Sequence, residues 1–359
     1  MIMSAAGIAA CAVAMYGVIK LDLFGLEQQQ QKPSEAATGT MKMDGPDGFE
    51  HNPSAIRVEG QDGAELVETG SDSVPHFPST IRLPRYEDES ALAKLSPGDE
   101  IPSSEDQEEY QLIGLGVRTV SFLRIKVYVV GMYVAKSDIS ALQQRLVRLA
   151  VDPPTEEQVI SNPVGATSAT SLVSTERQRL KELLLDGEKG EDVWNAILKQ
   201  PGLRTAFRIV PTRNTDYQHL RDAWVRGITG KAQKAHTKAA AAAEAGKTIP
   251  SEFDDEAFGL SVNEFKRLVG AGQPKNLPKG QAILLHRNSR GELDALAQPD
   301  GSKPWQLMGH MADERISRLV WMIYLAGKNV SSEPARQSIV DGVMGIVERP
   351  IGTVVQKVL

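Results

Sequence analysis

Residues 110–136, YQLIGLGVRTVSFLRIKVYVVGMYVAK, constrain the fold of this chain more than any other stretch. β-Branched and aromatic residues crowd there at strand density around Gly114 and Gly116, so the segment reads as two consecutive strands, over about 111–120 and 123–135. The GLG of residues 114–116 is too short to be a phosphate-binding loop and reads as a strand bulge.

The rest of the C-terminal two thirds punctuates itself. Ser137 or Asp138 can cap a helix to about residue 150, after which PPTEEQ and NPVGATSAT form an irregular insertion. Helix signals resume at Ser174, and RLKELLL is amphipathic. A strand at 203–210 precedes a helix capped by Thr215 or Asp216, with Leu220, Ala223, Trp224 and Ile228 on one face. KAHTKAAAAAEAGK extends that helix by intrinsic propensity without an apolar stripe, hence into solvent. A short helix at 254–268 follows; then GQAILLHRN, a turn at SRGE, LDALAQPDG and PWQLMGHM read as a β-meander, closed by helices at 312–326 and 333–348. This order predicts an α+β fold, an open antiparallel sheet with helices packed on one face.

The N-terminal third differs. Residues 2–19, IMSAAGIAACAVAMYGVI, are uncharged and end at Lys20 and Asp22, which just meets the length of a membrane-spanning helix. They lack the basic start of a secretory signal and exceed its usual apolar core of about 7–15 residues, so they read as a membrane anchor. From residue 28 a QQQQ run and scattered Gly, Pro, Ser and Asp lead to an acidic crowd between Glu87 and Glu109. The expected organisation is an anchor at 1–20, a disordered acidic linker at 21–109 and a folded domain at 110–359.

A net charge of −6 without a basic stripe excludes nucleic-acid binding by phosphate neutralisation. The single cysteine, Cys11, excludes an intramolecular disulfide and a Cys-based zinc site. No Walker loop, HExxH, EF-hand loop or GxSxG elbow is present. The histidines at 51, 76, 219, 236, 286 and 310 show no metal-ligand spacing; His219, beside Tyr217 on the amphipathic helix, is the one weak candidate ligand.

The stretch 116–134, together with LPKGQAILLHRNSRGELDAL and GKNVSSEPARQSIVDGV, resembles the opening strands, closing meander and last helix of the chalcone isomerase family. An apolar N-terminus ahead of a Tyr-rich first motif is most similar to the fungal "altered inheritance of mitochondria" branch, which implies a mitochondrial protein at the inner membrane. The resemblance implies a ligand cleft between sheet and helices, where plant enzymes close a chalcone phenolate onto its enone. Arg118 matches the family's oxyanion-positioning arginine. The catalytic threonine falls on Tyr128, the helical active-site tyrosine on Tyr217, a lysine on Leu220, an asparagine on Trp224 and a specificity threonine on Tyr324. With so many polar contacts replaced by apolar bulk, the expected function is binding of an apolar carboxylate, a fatty acid or haem, with Arg118 pairing the carboxylate and the other five side chains lining the cleft. Two alternatives stand beside it: an intramolecular lyase using Arg118, Tyr128 and Tyr217 on an unknown enone, and a structural or assembly factor of the mitochondrial membrane.

Overall fold

A computed structural model of the chain describes residues 58–59, 65–85, 92–102, 106–120, 123–151, 172–246, 251–269, 276–301 and 303–348. The apolar run expected to anchor the chain lies outside these residues; among them, no helix is long and apolar enough to cross a membrane.

The dense segment forms the expected pair, β5 (Gln107–Val120) and β6 (Ile125–Ala135), whose turn places Arg124 at φ 50°. With β4 (Thr80–Pro84), β7 (Thr205–Pro211), β10 (Ala282–Arg287), β11 (Leu293–Gln298) and β12 (Gln306–Met311) they build a seven-stranded antiparallel sheet in the order β12-β11-β10-β7-β6-β5-β4. The remaining strands are short: β1 (Val58–Glu59), β2 (Glu65–Glu68) and β3 (His76–Pro78) form a separate small sheet, and β8 (Thr215–Asp216) pairs with β9 (Asn276–Leu277).

Seven helices are described: α1 (Ile139–Val151), α2 (Ser174–Leu185), α3 (Lys189–Lys199), α4 (Tyr217–Glu244), α5 (Glu256–Leu268), α6 (Glu314–Leu325) and α7 (Glu333–Val347). Asp216 caps α4 by accepting from Gln218 N, as its position predicts, and the Ala-rich part continues the helix to Glu244 with its side chains largely exposed. The α3 helix was not expected; it buries Val193, Trp194, Ile197 and Leu198.

Period-two alternation divides the sheet between two cores. Tyr128, Val130, Met132 and Val134 of β6 face the helices with Phe207 and Ile209 of β7. Val129, Tyr133 and Ala135 face the other way, into apolar clusters completed by the N-terminal segment. This corrects the expected linker: its described part is not disordered. β4 pairs with β5 along five residues, from Thr80↔Gln111 to Pro84↔Gln107. Phe77 is fully buried against Val129, Val210 and Ala282, and Leu83, Leu92 and Ile101 pack on Tyr110, Leu284 and Leu307. An apolar sheet face exposed to water is costly, and these short pieces cover it.

The predicted bulge is present, as a register shift between Leu112 and Gly114 opposite β6. It resets the alternation. Tyr110 and Leu112 lie on the far face, yet so do Leu115 and Val117, which leaves Gly114, Gly116 and Arg118 on the helix side. There α7 lies backbone on backbone against β5. A Cβ at Gly114 would fall onto Ser338 and Ile339, one at Gly116 onto Ala335, and one at Gly342 onto the carbonyl of Ile113. Two serines stitch the contact: Leu115 N donates to Ser338 Oγ at 3.1 Å, and Ser332 Oγ, the N-cap of α7, donates to Val117 O at 3.0 Å. Gly116→Ala is therefore expected to cost about 3 kcal/mol, the upper end of overpacking, because rigid backbone rather than a flexible side chain stands in the way. Urea denaturation of the two proteins checks this; an unchanged midpoint would mean that α7 is free to shift.

Candidate functional site

Arg118 and Tyr128 face each other across the β5–β6 ladder on the helix side. The guanidinium carbon lies 5.7 Å from the centroid of the Tyr128 ring, and Nη1 donates to the carbonyl of Ser331 at 3.0 Å. Arg118 is half-buried and makes no ion pair with any described residue. The segment that receives it leads into α7, so the glycine contact also positions the arginine.

Behind Arg118 the side chains close on one another. The Tyr128 and Tyr324 hydroxyls share a hydrogen bond at 3.3 Å, and Trp224 Nε1 donates to Tyr324 Oη at 2.8 Å. Tyr324 is fully buried, with its ring centroid 4.8 Å from that of Phe207. Burial, reinforced by Tyr128, pushes its hydroxyl well above the ordinary phenol range, so it stays protonated. An indole N–H can only donate, so Tyr324 accepts from Trp224 and has one remaining partner, Tyr128. The structure thus joins Arg118, Tyr128, Tyr324 and Trp224 into one chain from β5 through β6 to α6 and α4.

Two of the expected site residues stand apart from that chain. Tyr217 is buried, but its hydroxyl accepts from Gln281 Nε2 at 3.1 Å, and burial pushes it up to about 12. Leu220 is 8% exposed and packs in the helix-side core. His219 belongs to a different surface: it is exposed and lines a polar hollow with Arg213 and Asn276. Among the described residues no group of three or more His, Cys, Asp or Glu could hold a metal ion.

A second polar group lies on the far face, where sequence reading did not look. The registers His286↔Asp294 and Asp294↔His310 place three side chains in a row across β10, β11 and β12. Asp294 is 1% exposed and accepts from both imidazoles, from His286 Nδ1 at 3.1 Å and His310 Nδ1 at 2.8 Å. On its other side, His286 Nε2 shares a hydrogen bond with Tyr110 Oη at 2.9 Å. Tyr110 and His286 stand three strands apart, about 14 Å at the usual spacing, and they meet above Ala135 and Ala206, whose small side chains leave room. A hollow of about 870 Å³ adjoins the group, bordered by Tyr110, His286, Arg204 and Asn288. The turn at SRGE was a usable signal, since a hairpin through it sets His286 opposite Asp294.

Burial alone would raise the Asp294 carboxyl, but the hydrogen bonds from His286 and His310 outweigh it and hold the carboxyl below its ordinary value. The same bond raises His310. A raised histidine contributes stability that is lost as pH rises through its folded value, and a lowered aspartate contributes stability that is lost as pH falls through its own. Asp294→Asn should therefore cost most at about pH 5, between the two, roughly 3 kcal/mol there, and less on either side. Denaturation midpoints of both proteins across the pH range test this; a pH-independent difference would remove the ionic pair from the account.

The family described as "Chalcone isomerase like" matches residues 108–340. Of the curated relatives, "Altered inheritance of mitochondria protein 18, mitochondrial" of Debaryomyces hansenii is 29% identical over 238 residues, covering 66% of this chain and 67% of that protein. Its namesake in Eremothecium gossypii is 26% identical over 243 residues, covering 67% of this chain and 68% of that one. The matches thus span about two thirds of those relatives' length. Among solved structures, that of an Arabidopsis thaliana fatty-acid binding protein aligns with TM-score 0.45 and 14% identity over 79% of this chain and 99% of that chain, too distant to bear on what this chain binds.

Proposed function

The chain belongs to the chalcone isomerase-like family, and from that premise we propose that it is a mitochondrial binding protein that takes an apolar carboxylate, with the carboxylate on Arg118 and the apolar body between sheet and helices. The relatives' names support the compartment, and residues 2–19 are read as the tether to the inner membrane. The observation that carries the ligand reading is Arg118 itself. A half-buried guanidinium whose described hydrogen-bond acceptor is a single backbone carbonyl retains donors for a bidentate carboxylate. It stands at the edge of an aromatic layer, so the ligand it suits is acidic at one end and apolar beyond.

Entry requires the aromatic chain to part. Its weak link is the Tyr128–Tyr324 contact, at 3.3 Å long for a bond between hydroxyls. A flexible acyl chain can thread a narrow opening that a planar macrocycle cannot, which favours a fatty acid over haem. The exposed position of His219, away from the aromatic chain, further weakens the haem reading.

Calorimetric titration with dodecanoate is the test. Wild type is expected to bind, and Arg118→Ala to bind at least about tenfold more weakly, the loss of a charge-assisted contact. Equal affinity of the two proteins would refute the assignment of Arg118. Turnover of a chalcone by wild type, abolished in Arg118→Ala, would replace the binding reading with the isomerase.

A further inference from the structure

The tip of the β5–β6 hairpin carries an apolar pair in water: Leu123 is 66% exposed and Val120 37%. Isolated exposed leucines are ordinary, but this pair has basic residues on its own turn and strand. Arg124 forms the turn and Lys126 opens β6, both exposed. The neighbouring loops end at the same level: Thr212 N donates to Val127 O at 3.0 Å, Gly280 N to Pro211 O at 3.0 Å, and Lys279 N to Asn214 Oδ1 at 2.9 Å. Arg213 therefore lies one strand over from Lys126 and Lys279 one loop beyond it, and both are exposed.

None of the four cations makes an ion pair with a described residue, whereas elsewhere on the surface Lys136, Lys181, Lys234 and Lys328 each do. The acids nearby are Asp72, two residues beyond the Gly70 carbonyl that accepts from Lys126 Nζ, and Asp216, already committed to capping α4. Beside Arg213 lies a hollow of about 620 Å³, bordered by Asn214, Thr215, His219 and Asn276. In a chain of net charge −6, four cations without a described ion pair along the sheet end that carries an exposed apolar tip are a local reversal of the global field.

We propose that this end of the sheet docks on an anionic lipid surface, with Leu123 and Val120 entering the boundary between headgroups and acyl chains. Arg124, Lys126, Arg213 and Lys279 meet lipid phosphates, and the adjacent hollow receives a headgroup. An apolar projection beside basic residues is what such a surface binds, since desolvation of the apolar side chains and attraction to the phosphates act together. The proposal does not depend on what Arg118 holds. It has a bearing on it, because Arg118 lies two residues from Val120 on the same strand, and a site at that end opens toward the membrane.

The test uses the full chain with Cys11→Ser and Leu123→Cys, the new thiol carrying an environment-sensitive fluorophore. Vesicles are either phosphatidylcholine alone or phosphatidylcholine mixed with phosphatidylglycerol. The expected result is a blue shift and protection from an aqueous quencher with the mixed vesicles only. Arg124→Glu with Lys126→Glu in the same background should weaken the response at least about tenfold. A tip that stays in water while the protein sediments with vesicles, carried by residues 2–19, overturns the proposal. An equal response on neutral vesicles, or one indifferent to the charge reversals, overturns it as well. Dodecanoate binding by the same protein reports separately on the ligand reading.

Discussion

The contact of α7 with β5 is the constraint on which the site depends. A helix normally stands off a sheet by the thickness of two side-chain layers. Here Gly114, Gly116 and Gly342 remove that layer, so that Ser332 and Ser338 can reach strand backbone. Its cause is the one-residue bulge before Gly114, which turns both strand glycines toward the helices and carries Arg118 with them. Without that extra residue, strict alternation from Tyr110 would put Arg118 on the opposite face. One insertion therefore fixes the helix approach, the side of the sheet on which the arginine stands and the carbonyl of Ser331 that it meets.

Behind Arg118 the chain has exchanged polar reach for volume. Trp224 Nε1 and the Tyr128 hydroxyl both engage the Tyr324 hydroxyl, while Trp321 Nε1, whose ring packs on Phe207, is buried in the same layer without a described partner. Arg118, whose described acceptor is one backbone carbonyl, keeps guanidinium donors at the edge of that layer.

The parts of this architecture legible in the sequence were those whose own pattern decides them. The strand pair, the meander and Asp216 as a cap follow from local density, alternation and turn chemistry. The strands β2, β3 and β4 were not legible, because they are three to five residues long, rich in Glu and Pro, and extended only through what they pair with or cover. The α3 helix hid for a related reason: its sequence begins KGED, with a glycine in the first turn, and its apolar face is short. Resemblance named Arg118, Tyr128, Trp224 and Tyr324, which are neighbours in the structure, but that Tyr217 bonds elsewhere and that His219 faces solvent depend on helix rotation, which no spacing supplies. The row from Tyr110 through His286 and Asp294 to His310 crosses six strands of the sheet, and only its central hairpin could have been paired in advance.

The cover over the far face has a consequence for where this protein can be cut. Family likeness begins at residue 108, after β4, and ends at residue 340, within α7. A fragment trimmed to those limits would lose the strand that protects the outer edge of β5, the phenylalanine that roofs Gly131, and the last turns of the helix that reads the glycines. It would uncover the part of the β5 edge that β4 pairs and present a bare apolar sheet, the conditions under which chains add to one another rather than fold alone. The portion shared by descent is thus smaller than the portion that must fold together. Its described pieces before residue 108 are a fixed cover, with Phe77, Leu83 and Leu92 occupying a sheet face that would otherwise meet water.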